Sequence, residues 1–287
     1  MIWNISWKNV WRNKSRSMIV ICAVTLGTIS GVFVAGLMNG WVDQRIHSAI
    51  YTEVSHIKIQ NPDYLINEEI KHTVQDFAEI KPFLNQSSEV KAWTKHTKII
   101  AMASTSRGNT ALVLKGIDPL EEKKVSDLYT YILKDGGNYF ESDFTNPIVI
   151  SEKTADQLRL INYTISDKLL DTLSQLGAKA ELTEKLGSLK NKRFITEKKF
   201  KSELNKVLTP KENKAYGATI MQQAKNYKLR SKIVFTFSGK NGEMSYQSYR
   251  VCGIYKTSNT LFDQMNAFVK QEDIADIAGL LPGNYHE

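Results

Sequence analysis

The sequence predicts an α+β protein held to a membrane by a single N-terminal helix, with a helical insertion in its folded body. Three observations carry that expectation. One uncharged, mostly apolar run occurs, Met18 to Met38 (MIVICAVTLGTISGVFVAGLM), and nothing later in the 287 residues repeats it. Beyond it, period-two segments such as Lys232–Phe237 are mixed with segments of helical period such as Leu169–Leu176. Mean hydropathy is -0.32, with 24% charged and 42% hydrophobic residues, so the remainder is water-soluble yet able to furnish a core. Its length suits one large or two modest domains.

The apolar run is long enough for a helix to cross roughly 30 Å of hydrocarbon. Trp3, Trp7 and Trp11 precede it at four-residue spacing, so they share one side of an amphipathic helix spanning residues 1–17. The cations Lys8, Arg12, Lys14 and Arg16 stand before the span, against only Asp43 and Arg45 just after it. The positive-inside rule then puts the N-terminus in the cytoplasm, the span at 18–41 and the body, 42–287, outside. A cleaved signal peptide is the competing reading; its charged start and the small residues around Val34-Ala35-Gly36 fit. Signal cores run only about 7–15 residues, which favours a retained anchor. Gly27-x-x-x-Gly31 and Gly36-x-x-x-Gly40 are spacings that let a second helix approach closely.

After the span the helix continues over Val42–Ile50. Alternation at Val54–Ile59 then reads as a strand ending at Asn61-Pro62, and Ile70–Leu84 as a helix with Val74, Phe77 and Ile80 on one side. Strands are expected over Lys91–Ala103 and Thr110–Gly116, joined by a turn-rich stretch. Another, Pro147–Ile150, feeds a helix capped by Ser151. From Ile161 to Tyr227, Lys and Arg outnumber Asp and Glu roughly two to one and the period is helical. Ser166 caps one helix, Thr196 another, and Thr209-Pro210-Lys211-Glu212 combines a capping box with proline at the first helical position. The cationic faces of this segment are solvated decoration or a docking surface for an acidic partner or lipid. A hairpin follows over Lys232–Phe237 and Met244–Tyr255 around Asn241-Gly242, then a strand at Asn266–Val269 and a helix bearing Ile274, Ile277 and Leu280.

A family resemblance rests on three blocks in order. Trp7-Lys8-Asn9-Val10-Trp11-Arg12-Asn13-Lys14-Ser15-Arg16 runs straight into the span, His56–Tyr64 (HIKIQNPDY) follows it, and Arg250–Thr257 (RVCGIYKT) lies near the end. Together they resemble ABC-transporter permeases of the FtsX/MacB/LolE type, closest to the lipoprotein-releasing LolC/LolE branch. Gly116-Ile117-Asp118-Pro119 after the first hairpin resembles the same group; residues 161–227 depart from it, and the continuity of the resemblance across them implies an insertion whose removal is expected to leave the rest folded. The resemblance implies an outer MacB-like core domain of two α+β lobes, one built before Met102 and from the end of the domain, the other from the middle. It also implies three further spans after this domain, so the chain reads as part of a longer subunit. Partners implied are a cytoplasmic ABC ATPase, a second permease subunit (the same or different) and the lipid of a bacterial cytoplasmic membrane, with a lipoprotein or lipid-like substrate. Such permeases transmit ATP-driven motion through the first membrane helix to the outer domain.

Lys and Arg number 38 and Asp and Glu 30, giving a net charge of +8. Nucleic acid is not the expected partner of a body outside the membrane; anionic headgroups or an acidic protein are. Cys22 lies in the span and Cys252 in a strand, so no intrachain disulfide is expected. No Gly-x-Ser-x-Gly elbow, His-Glu-x-x-His, Cys-x-x-Cys or phosphate-binding glycine-lysine loop occurs, and the five histidines (His47, His56, His72, His96, His286) are scattered. The chain is therefore read as a non-enzyme with no cofactor or metal. A membrane-anchored binding or adaptor module is the alternative function, since only one span is present.

Overall fold

The computed structural model describes Trp7 and residues 10–74, 76–140, 144–190, 192–239, 242–275, 277–280 and 283–287. It divides into two compact units, Met1–Glu53 and Val54–Glu287. In the first, helix α1 runs unbroken over Lys14–Ser48, and a π-helical turn, Ala49–Val54, continues it. At 1.5 Å per residue the 35 residues of α1 extend about 52 Å. Residues 18–47 are all exposed, which suits an apolar helix whose solvent is lipid. Inside it, the Thr25 hydroxyl donates to the Ile21 carbonyl at 2.8 Å and Thr28 to Val24 at 2.9 Å, so neither would be left unpaired in hydrocarbon.

The second unit is built on strands β1 (Thr97–Ser104), β2 (Asn109–Ile117), β3 (Ile132–Gly137), β4 (Pro147–Ser151), β7 (Lys232–Ser238), β8 (Met244–Tyr255) and β9 (Asn266–Lys270). They pair in the order β3-β8-β4-β9-β2-β1-β7, and β7 pairs back to β8, so six of the strands close into a ring. Closure rests on the 12-residue β8: its first half pairs with β7 and its second half with β4. Alternation explains what fills the ring. Ile99, Ala101 and Ala103 of β1, Leu112 and Leu114 of β2, and Ile233, Phe235 and Phe237 of β7 all face one buried cluster. A second cluster, with Ile117, Val149, Cys252, Tyr255, Phe262 and Phe268, lies on the opposite face. Strands from the ranges that the resemblance assigns to two lobes share this one sheet.

Local chemistry sets the helices. Asp118 accepts from the amides of Leu120 and Glu121 and opens α4 (Pro119–Val125). Ser151 caps α5 (Glu152–Gln157), Ser166 caps α6 (Asp167–Gln175) and Thr196 caps α8 (Glu197–Val207). The capping box of Thr209 and Glu212 is present and starts α9 (Pro210–Gln223). In the β1–β2 turn Gly108 is required by close approach: a Cβ there would lie 2.4 Å from the Gln157 carbonyl oxygen.

The insertion begins and ends in a small two-stranded sheet, β5 (Ile161–Tyr163) with β6 (Lys225–Tyr227), in which Ile161 faces Tyr227. Helix α7 (Ala180–Gly187), absent from the sequence reading, adds Leu182 and Leu186 to its interior. Tyr163, Leu169, Leu173, Phe200, Leu204 and Ile220 form the insertion's apolar interior, which is continuous with the cluster on the sheet. At the seam Glu152, at the start of α5, accepts from Lys225 and from Tyr227 Oη at 2.9 Å, and lies 2.8 Å from Lys256 Nζ. Burial alone would raise Glu152; the bonds from Lys225, Lys256 and Tyr227 outweigh it and hold the carboxyl down at about 2.

Three further elements differ from the sequence reading. Val54–Ile59 forms no strand; Ser55 has φ 63°, which breaks extended pairing, and the segment is held by side chains instead. The helix expected over Ile70–Leu84 is α3, Phe77–Gln86, because Asp76 adopts φ 52° and the Val74 amide donates to the Tyr285 carbonyl at 2.7 Å. A short helix α2 (Tyr64–Asn67) precedes it. The first strand begins at Thr97, not Lys91. After β9, α10 (Thr260–Met265) having preceded it, α11 covers Gln271–Ala275 and buries Ile274.

Candidate functional site

The interface residues expected before the span fall partly on described chain. Trp3 and Lys8 lie outside the described residues. Trp7 and Trp11 are both exposed, with ring centroids 6.0 Å apart in an edge arrangement, as residues four apart on one helix face allow. Arg12, Lys14 and Arg16 are exposed as well, the last two within α1. A Cβ added at Gly27, Gly31, Gly36 or Gly40 would meet nothing within 4 Å. At about 100° per residue, Gly27 and Gly31 mark one helix face and Gly36 and Gly40 the opposite one. The span therefore presents two open, small-residue faces.

In the folded unit the densest polar arrangement gathers residues far apart in sequence. The last residues are woven onto the segment before β1: His96 and Glu287 exchange backbone bonds, the His96 amide donating to the Glu287 carbonyl at 2.7 Å. The Glu287 side chain lies 2.5 Å from Lys58 Nζ, 2.6 Å from Lys98 Nζ and 3.1 Å from His96 Nδ1, and accepts from Gln60 Nε2 at 2.9 Å. The other ring nitrogen of His96 lies 2.7 Å from Glu122 Oε2 on α4. Beside it the buried Lys115 holds its ammonium 5.2 Å from the Phe262 ring and 5.7 Å from Phe268.

Electrostatics follow from burial. Taking Glu122 out of water would raise its pKa, but the charge and bond of His96, with Lys115 near, pull it below the ordinary range. Burial, with the cations of Lys115 and Lys58, pushes Lys98 down, while Glu287 at 2.6 Å favours its charged form. His286 is fully buried; its Nδ1 accepts from the Lys98 amide at 3.1 Å and its Nε2 donates to the Ile70 carbonyl at 3.0 Å. That pattern is the neutral imidazole, and burial holds its pKa down to about 4.

Chemically this is a charge-compensated clamp. The carboxylate oxygens of Glu287 already contact cations. No group of three or more His, Cys, Asp or Glu side chains is placed to hold a metal among the described residues. What the clamp does is fix the first folded residues after the helix, Lys58–Gln60, to β1 and to the chain's last residues. Treating the histidines as scattered missed it, because His96 and His286 find their partners 191 and 216 residues away. No local pattern signals such contacts.

No family model matches the sequence, and no curated protein matches it. Among solved structures, the chain is similar to the crystal structure of the extracellular domain of the noncanonic ABC-type transporter YknZ from Gram-positive bacteria. Identity is 14% and the TM-score 0.35, with 77% of this chain and 75% of that one covered.

Proposed function

We propose that this chain is a membrane subunit of an ABC-type system of the FtsX/MacB/LolE kind, nearest the lipoprotein-releasing branch, in a bacterial cytoplasmic membrane. The observation that carries the reading is one continuous helix. It starts within the cationic, tryptophan-bearing block Trp7–Arg16, contains the apolar run, and continues to Val54, roughly 20 Å beyond Met38. A helix with its backbone bonds satisfied internally is a stiff connector. The three sequence blocks that resemble these permeases support the same reading. In it, a cytoplasmic ATPase moves the N-terminal end, a second permease subunit packs on the glycine faces, and the outer α+β body handles a lipoprotein or lipid-like substrate.

The test is purification of the full chain from its own cells in mild detergent. An ATP-hydrolysing protein should accompany it, and replacing Trp3, Trp7 and Trp11 by serine should uncouple that hydrolysis without preventing membrane insertion. A chain that purifies with no ATPase favours the second reading, an anchored adaptor module. That reading is motivated by the single helix long and apolar enough to cross a membrane among the described residues.

A further inference from the structure

Away from the clamp, a cavity of 240 Å³ opens between the β7–β8 ladder and the loop entering β4, lined by Thr145, Asn146, Lys232, Ser248 and Arg250. Lys232 and Arg250 are direct cross-strand partners in the β7–β8 register. Both are exposed, on the side opposite the buried Ile233 and Tyr249. Directly opposed side chains in an antiparallel pair stand about 5 Å apart at Cβ, and like charges so placed destabilise the pair. Neither cation has a carboxylate within 4.0 Å among the described residues, whereas many other lysines of the chain do.

The surroundings hold these cations in place. Asn146, at φ 53°, donates through Nδ2 to the Ser248 carbonyl at 3.3 Å, and its own carbonyl receives the Arg250 amide at 2.9 Å. Arg250 spends one guanidinium N–H on the Arg230 carbonyl at 3.3 Å, which fixes its plane and leaves the rest of its fork available. Arg230 itself is held at φ 64°, its guanidinium 5.1 Å from the Phe144 ring. Thr145 and Ser248 line the same cavity, so two hydroxyl side chains border the space beside the two cations.

We propose that this pocket binds a phosphate-type oxyanion, with the Arg250 fork and Lys232 as its charge partners and the two hydroxyls completing the shell. An oxyanion between Lys232 and Arg250 removes the like-charge cost of the ladder, and a planar fork beside a point charge suits a tetrahedral phosphate. Free phosphate esters and lipid headgroups share this chemistry.

The test uses the full chain in an uncharged detergent. Glycerol 3-phosphate, and separately dihexanoyl phosphatidylglycerol below its micelle concentration, are titrated calorimetrically, and the melting temperature is followed against sodium chloride of equal ionic strength. At least one probe should bind and raise the melting temperature. Lys232→Gln and Arg250→Gln should each weaken binding about tenfold or more, while Lys198→Gln on α8 leaves it unchanged. Without phosphate, Lys232→Gln should melt no lower than the parent, because it relieves the cross-strand repulsion. Equal affinity for the two probes identifies a free phosphate ester, and tighter binding of the acylated probe identifies a lipid headgroup; either supports the site. Binding of neither probe, or undiminished binding by both variants, overturns it.

Discussion

Glu287 Oε1 lies 2.6 Å from Lys98 Nζ, while Lys58 Nζ lies 2.5 Å from the same carboxylate's other oxygen. One acidic side chain thus joins the segment that follows the helix, the first strand of the sheet and the chain's last residues. Glu287→Gln keeps the shape and removes the charge, leaving two partly buried ammonium groups opposed. The expected cost is on the order of 3 kcal/mol of unfolding free energy, measured by urea denaturation of the full chain. A loss below about 0.5 kcal/mol, the range of ordinary surface changes, would show that the clamp does not hold the segment.

Glu152 fastens the base of the insertion. Its pKa is about 2 in the fold, below the ordinary carboxylate value of 4.5, so its stabilisation is present above pH 4.5 and lost as pH falls toward 2. Allowing for its partial solvent contact, about 2 kcal/mol is at stake. Glu152→Gln should flatten stability against pH in that window and speed amide exchange in β5 and β6. Unaltered exchange there would mean that the apolar cluster alone holds the insertion.

His286 gives a separate pH window. Its folded pKa of about 4 lies below the ordinary 6.5, so the fold binds fewer protons than the unfolded chain between those values. Stability is therefore full above pH 6.5 and declines as pH falls to 4, by about 3 kcal/mol. His286→Gln keeps a donor and an acceptor and should abolish the decline between pH 6.5 and 4.5, where Glu152 contributes nothing. An unchanged slope in that interval would assign it to other groups.

The two glycine faces of α1 make distinct predictions. Gly27→Ile and Gly36→Ile, made singly, fill the open space beside each face. Each is expected to reduce copurification of a membrane partner in mild detergent about fivefold while membrane insertion is retained. Insensitivity of one variant alone would reduce the number of packed faces to one.

The parts legible in the sequence were those decided locally. Ser151, Ser166, Thr196 and Thr209 announce their helices because a cap is a contact between residues three apart. The apolar run and its flanking charges are likewise contiguous. The ring closure was not legible, since β2 lies parallel to β9 and β4 parallel to β8 across long stretches of chain. Val54–Ile59 shows why alternation alone misleads: its residues alternate, but no strand pairs with them, and Lys58 and Gln60 serve instead as side-chain ties to Glu287. The clamp and the Lys232–Arg250 pocket depend on register and on contacts between segments, for which the sequence carries no periodic signal.

Topology bears on the functional reading most directly. The proposed orientation, which rests on four cations before the apolar run against a nearly neutral flank after it, has Met1–Ser17 in the cytoplasm and the α+β unit outside. Single cysteines at Lys201, exposed on α8, and at Asn4 are introduced into a chain with Cys22 replaced by serine; the buried Cys252 is retained. Cells with any outer membrane made permeable are treated with an impermeant thiol reagent before and after lysis. The expected result is labelling at Lys201→Cys in intact cells and at Asn4→Cys only after lysis. Protection at Lys201→Cys with labelling at Asn4→Cys in intact cells would contradict the orientation, and with it both the permease and the anchored-adaptor readings.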